Sequence, residues 1–245
     1  MNNLYYKIYP LWIQVHNSIR ERGVKRTLLA ILLFILRTIK EYPSNHRRKR
    51  LDLFFDRKFG TNTAGRVELD DLHIESNNKE FGFRYQGVLP DIFREMMSKL
   101  PIKYENFVFI DFGSGKGRAL LLAAEYPFRR IIGIEFSLDL YSIALSNIKL
   151  YKNPMQKCFS LECEHKDVIQ YSLPADNLIC YLYNPFDEKV LSLVLDNIKK
   201  SLTEYPRELF VVYRHPAFDE LLFNCGFLEK IISDEEYSIF QRKTI

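Results

Sequence analysis

The sequence predicts an α/β fold: a doubly wound, mostly parallel seven-stranded sheet with a C-terminal antiparallel hairpin, plus an N-terminal helical extension. Three observations predict it. From about residue 105, apolar runs of strand length alternate with helical stretches, which implies a parallel sheet covered on both faces. The last two runs, FLEKIIS (227–233) and YSIFQRK (237–243), are joined by a short acidic turn with no helix, so they pair antiparallel. Residues 1–50 differ from the rest in composition, with basic clusters on both sides of a wholly apolar run.

Residues 1–50 form the basic, apolar helical extension. Arg20, Arg22, Lys25 and Arg26 precede the run Leu28 to Leu36, and Arg37, Lys40 and the block His46 to Arg50 follow it. The run is too short for a bilayer span, which needs about 20 apolar residues. No small-residue cleavage site follows it, so it does not read as a signal peptide. Two placements suit the segment. Its apolar side packs on the rest of the protein or on a second subunit, or residues 20–50 make peripheral contact with an anionic membrane surface.

Residues 51–104 read as a connector or lid followed by a helix. Asn62-Thr63-Ala64-Gly65 and Asn77-Asn78 are turns. Residues 88–100 place Val88, Ile92, Phe93, Met96, Met97 and Leu100 at helical spacing, and Pro101 ends the helix.

Residues 105–245 form the main domain. FVFID (107–111), RIIGIEF (130–136), FSLECE (159–164), NLICYLY (177–183) and ELFVVY (208–213) read as strands. Helices are expected at 116–125, 138–151, 188–202 and 216–224, the last stopped by Gly226.

A composition 47% hydrophobic and 27% charged is that of a globular protein. The formal charge of +4 falls short of the focused excess of a nucleic-acid binder, so nucleic acid is not the expected partner. Cys158, Cys163, Cys180 and Cys225 form no CxxC pair and no zinc spacing, so no metal site is expected. So few cysteines in a chain of this size read as reduced thiols in a cytoplasmic protein.

The main chemical signal is Asp111-Phe112-Gly113-Ser114-Gly115-Lys116-Gly117-Arg118, directly after the first strand and opening a helix. Glycines there let a ligand approach the backbone without meeting a Cβ. The spacing is G-x-G-x-G, with Arg118 in the place of the third glycine of a dinucleotide fingerprint, and it does not fit a nucleotide P-loop. Glu135 ends the second strand, 24 residues after Asp111. A carboxylate there accepts hydrogen bonds from vicinal ribose hydroxyls; the competing reading is a solvated strand end, which its apolar neighbours oppose.

DFGSGKGR followed by GIEFS resembles the first two motifs of class I, seven-strand methyltransferases that use S-adenosyl-L-methionine (SAM), and the resemblance covers residues 105–243. It implies SAM as cofactor, with Gly113, Ser114, Gly115 and Gly117 at its methionine part, Asp111 near the methionine amino group and Glu135 at the ribose. Asp167 and Val168, after the third strand, match the adenine motif; the plainer role of Asp167 is a helix cap. Tyr85 lies upstream, in a segment that often closes over the cofactor in such enzymes. Asn184-Pro185-Phe186, at the end of the fourth strand, is similar to the Asn/Asp-Pro-Pro-aromatic motif of amino-group methyltransferases, with one proline instead of two. It implies catalytic roles for Asn184, Pro185 and Phe186: oxygens that orient an amine, and a ring that packs on the substrate; the competing reading is a strand-ending turn with Phe186 in the core. His215 is a candidate general base, against the commoner reading of a structural histidine before a proline.

Methyl transfer needs an oriented nucleophile and a site closed to water. With oxygen acceptors present and no conspicuous base, the expected acceptor is an amine nitrogen, on a protein lysine or a small molecule. The alternatives are a non-catalytic SAM-binding or scaffold protein, and an NAD-dependent oxidoreductase, which the glycine spacing opposes. The sequence leaves the oligomeric state open.

Overall fold

The computed structural model describes residues 23–243 other than Glu75 and Asn77, without the side chains of residues 30, 31 and 33–46. The chain divides into two compact units, Met1–Arg50 and Leu51–Ile245. One helix, α1 (Val24–Phe59), begins in the first and ends in the second. It runs on through Phe59, where the sequence reads as a connector. Asp52, Phe55, Asp56 and Phe59 share one face at helical spacing. Phe55 and Phe59 are buried and pack on Tyr151, with ring centroids 6.4 and 4.9 Å away. Gly60, at φ +68°, follows the last turn as a left-handed stop. Most of the extension's side chains, and all of residues 1–22, lie outside the described residues; Val24, Leu28, Leu29 and Leu32 are exposed. Among the described residues no helix is long and apolar enough to cross a membrane.

Within the second unit, a two-residue hairpin, β1 (Arg66–Val67) with β2 (Tyr85–Gln86), precedes α2 (Pro90–Ser98). Pro90 begins α2, where its fixed φ suits the first turn and its missing N–H costs nothing. Then follow β3 (Phe107–Phe112), α3 (Arg118–Ala123), β4 (Arg130–Glu135), α4 (Leu138–Leu150), β5 (Leu161–His165), β6 (Asn177–Tyr183), α5 (Glu188–Glu204), β7 (Leu209–Arg214), α6 (Asp219–Asn224), β8 (Leu228–Ser233) and β9 (Tyr237–Arg242). The sheet order is β5-β4-β3-β6-β7-β9-β8, parallel through β7 and antiparallel in the final hairpin.

Strand alternation divides the core. Phe109, Tyr181 and Val212 face a cluster with Phe93, Met96, Met97 and the helical Leu120 to Ala124. Ile110, Leu182 and Val211 face the opposite cluster with Val190, Val194 and Ile198 of α5. Every residue of β3 is buried, as expected of a central strand covered on both faces. The chain enters the sheet at β3, winds outward to β5, then returns to β6 on the other side. That reversal opens a crevice beyond the carboxyl ends of β3 and β6, where ligands bind in doubly wound sheets. The fold is a doubly wound, mostly parallel seven-stranded α/β sheet, mixed only at its terminal hairpin.

Candidate functional site

The crevice is floored by the glycine loop after β3. Gly113, Gly115 and Gly117 take φ of +84°, +54° and +81°, a region L side chains rarely enter. Close packing adds to the requirement: a Cβ on Gly113 would fall 2.6 Å from Pro185 Cβ. Ser114 is buried beside Cys163, its Oγ 3.5 Å from the sulfur.

Two carboxylates stand at the same edge. Asp111 and Glu135 are both buried, 3% exposed, on neighbouring parallel strands. Glu135 accepts hydrogen bonds from the N–H of Gly115 at 2.7 Å and of Ser137 at 2.8 Å. Burial nevertheless pushes its pKa up to about 7, and these backbone bonds only moderate the rise. Asp111 is raised well above the usual carboxylate range by burial and by the charge of Glu135. Among the described residues neither acid forms a salt bridge, so no basic side chain offsets the cost of burying their charges. A carboxylate offers about four acceptor positions, so Glu135 retains capacity for ligand hydroxyls.

Residues 61–74, Ser76 and 78–88 form a strap over this edge; Tyr85 lies in it, and Asp167 anchors it from the turn after β5. The Tyr85 ring lies on Gly115, and its hydroxyl donates to Thr63 O at 2.7 Å. Further along, Phe83 N–H donates to Pro185 O at 3.0 Å and Phe81 O accepts from Asp187 N–H at 2.8 Å. Asp167 is both the cap of the turn Val168–Gln170, through Ile169 N–H, and an anchor for the strap. Its Oδ2 accepts from Ser76 Oγ at 2.5 Å and Asn78 Nδ2 at 2.8 Å.

Beneath the strap two small voids remain. One, of about 60 Å³, is bounded by Tyr85, Asp111, Gly113, Ser114, Gly115 and Glu135. The other, of about 40 Å³, is bounded by Asn78, Phe136, Asp167, Val168, Pro185 and Phe186. A ligand pocket for a molecule of cofactor size is on the order of 300 Å³ or more. Both voids are therefore smaller than such a pocket while the strap lies in this position.

A third cavity, about 580 Å³ and open, adjoins the first through Leu69, Phe83, Arg84, Gln86 and Tyr183. Asn184 and His215 line it. Both take left-handed backbone, at φ +40° and +50°, although neither is glycine; such strain concentrates at functional sites. Asn184 Oδ1 accepts from the Tyr213 hydroxyl at 3.1 Å. His215 Nδ1 lies 3.2 Å from an Arg214 guanidinium nitrogen. A guanidinium only donates, so Nδ1 accepts and the neutral ring carries its proton on Nε2.

The sequence-derived set thus divides in three. Asp111, Gly113, Ser114, Gly115, Glu135 and Tyr85 meet at the first void, Asp167 and Val168 at the second, and Asn184 at the open cavity. Gly117 does not line these cavities; it packs on Ala144, where a Cβ would fall 3.3 Å away, and starts α3. Pro185 separates the two voids, and Phe186 sits in the core at the second void, bridged to Gly82, with the open cavity lined instead by Asn184. Sequence reasoning misses the partners of Arg118 and the strap anchors Ser76 and Asn78. The one available signal for the former is the pair Asp52 and Asp56, one helical turn apart.

No family model matches the sequence, and no curated protein matches it. Solved structures resemble the fold. An RNA methyltransferase from Salinibacter ruber, crystallised with S-adenosyl-L-homocysteine, is 17% identical over 62% of this chain and 89% of its own, at a TM-score of 0.41. A putative SAM-dependent methyltransferase from Methanococcus maripaludis is 18% identical over 64% and 85%, at 0.46. An N-methyltransferase from Bradyrhizobium japonicum is 13% identical over 63% and 96%, at 0.44.

Proposed function

We propose that this protein is a SAM-dependent methyltransferase acting on an amine nitrogen. The observation that carries the reading is the buried pair Asp111 and Glu135 beside the glycine loop, without a basic partner among the described residues. SAM brings a sulfonium and an ammonium, two cations that such acids favour, and a ribose diol for Glu135. The G-x-G-x-G spacing of the loop opposes an oxidoreductase.

The residues that would hold the cofactor are Asp111, Gly113, Ser114, Gly115 and Glu135 at one end and Asp167 and Val168 at the other. When bound, SAM supplies a methyl group on sulfur, open to in-line displacement. Tyr85 and the strap exclude water from the reacting edge. Asn184, at the mouth of the open cavity, offers the oxygen that aligns an amine lone pair. The Tyr213 hydroxyl holds that oxygen in place. The Asn184 side-chain oxygen and the Pro185 backbone oxygen each accept one hydrogen bond, from Tyr213 and Phe83, and each keeps a second lone pair for an amine N–H. The acceptor is a protein lysine or a small-molecule amine; a cavity of about 580 Å³ admits either.

Calorimetric titration of SAM and, separately, NADH into the wild type and Glu135→Ala tests the reading. Binding of SAM that weakens at least tenfold in the variant is expected. A folded wild type that ignores SAM ends the proposal, and NADH binding in its place establishes the oxidoreductase. SAM binding with no methyl transfer to any amine in an extract would leave the scaffold reading.

A further inference from the structure

Arg118 is the most deeply buried charge among the described residues of the second unit, at 1% exposure, and the cofactor chemistry above makes no use of it. It opens α3, the positive end of a helix, where a cation is unfavourable. Two acids on one face of α1 offset it. Arg118 donates to Asp52 Oδ1 at 2.9 Å and to Asp52 O at 3.3 Å, and it lies 3.8 Å from Asp56. Its guanidinium also sits over the Phe55 ring, 4.6 Å from the centroid.

The third partner is Thr63, fully buried, whose Oγ1 accepts from Arg118 Nε at 2.5 Å and donates to Asp56 Oδ1 at 2.6 Å. Asp56 also receives the N–H groups of Thr63 and Ala64. The first leg of the strap, residues 61–64, is thereby fixed to α1 and α3. From there it reaches the cofactor edge. Thr63 O accepts the Tyr85 hydroxyl and Ala64 O accepts Lys116 Nζ at 3.0 Å. Asn147 of α4 bonds Asn62 and also donates to Lys116 O at 2.8 Å. Gly87, which closes the second leg, admits this packing: a Cβ there would fall 3.1 Å from Thr63 O and 3.2 Å from Arg118 Nε.

We infer that Arg118 is a positioning residue: with Asp52, Asp56 and Thr63 it holds the strap against the glycine loop and so sets how Tyr85 closes over the cofactor. The inference rests on the SAM-binding reading. A buried ion pair alone is a poor stabiliser, since an apolar pair of like volume is often as stable. What the group adds is directional geometry: one guanidinium addresses two acids, a carbonyl and a hydroxyl at once.

The test is SAM affinity by calorimetry, with thermal melting alongside, for Arg118→Met/Asp52→Leu, Arg118→Lys and Thr63→Val. The paired apolar variant is expected to melt near the wild type yet bind SAM at least tenfold more weakly, with Arg118→Lys recovering part of the loss. Thr63→Val keeps the shape, removes the bridge, and is expected to weaken SAM at least fivefold even where the paired variant fails to fold. Wild-type affinity in a folded paired variant, or in Thr63→Val, overturns the inference while leaving the cofactor reading intact. Failure of the wild type to bind SAM overturns both.

Discussion

The ring of Tyr85 lies across the backbone of Gly115 so closely that a Cβ added to Gly115 would fall 2.1 Å from its Cδ2. Gly115 also takes φ +54°. Gly115→Ala therefore meets two penalties, one from the ring and one from the backbone. A non-glycine residue held in left-handed backbone costs on the order of 1–3 kcal/mol. The expected result is a loss in urea unfolding larger than that backbone cost alone, of which Tyr85→Ala in the same chain recovers only the steric excess. Full additivity of the two substitutions would show that the ring and the loop are not in contact.

The strap must lift for a cofactor to enter, since the voids beneath it hold only about 60 and 40 Å³. Its tip is fastened where adenine is expected, by Ser76 and Asn78 on Asp167 Oδ2. Ser76→Ala/Asn78→Ala removes both fastenings and leaves the Asp167 cap on Ile169 N–H in place. SAM association in stopped flow is expected to quicken at least about threefold, because the opened state becomes more populated. An unchanged association rate would mean that SAM enters without moving the tip.

Glu135 gives the site a pH signature. Its folded pKa of about 7 lies above the 4.5 of a free glutamate. The folded protein therefore keeps a proton that the unfolded chain has released between those values. Its stability contribution is whole below about pH 4.5 and is lost as pH rises through about 7, and buried Asp111 acts in the same direction. The expected loss from Glu135 is about 3 kcal/mol, and Glu135→Gln is expected to melt higher than the wild type at pH 8. A cationic ligand favours both carboxylates, so SAM should bind more tightly as pH rises through 7 and release protons below it. Melts from pH 5 to 8.5 and calorimetry in buffers of different ionisation heat read both effects. A wild-type slope that persists in Glu135→Gln would remove the carboxylate from the account.

The parts of the molecule legible in the sequence are those with a period or a local motif. Runs such as FVFID and NLICYLY are continuous and apolar because their strands are covered on both faces, and β3 and β6 lie where they indicate. The glycine loop and Glu135 are legible because their spacing is set by one strand-turn-helix-strand unit. The strap is not. It is held by polar contacts between residues far apart in sequence, as Asn78 to Asp167 or Arg118 to Asp52, and no periodicity accompanies them. The end of α1 is hidden for a related reason: LDLFFDRKF interleaves buried Asp52, Phe55 and Phe59 with exposed Leu53 and Phe54, so its apolar residues do not form one clean face. Phe186 is placed by packing. Its ring lies in the core, with its backbone bridged to Gly82, as the reading of a strand-ending turn has it, while the motif implies a contact with substrate.

Asn184 separates chemistry from cofactor binding. It lines the open cavity and neither void, and it is strained at φ +40° while its side chain is held by Tyr213. Asn tolerates left-handed backbone better than alanine does, so Asn184→Ala loses both the hydrogen bond and this tolerance, about 1–2 kcal/mol together. Asn184→Gly relieves the backbone and loses only the bond, so it is expected to be the more stable of the two. Both variants are expected to bind SAM as the wild type does. With an amine acceptor in hand, both are expected to lose on the order of a hundredfold in turnover, because the lone pair is no longer aligned. Turnover that follows stability, high in the glycine variant and low in the alanine one, would assign Asn184 to the architecture of the β6 turn and remove it from the chemistry.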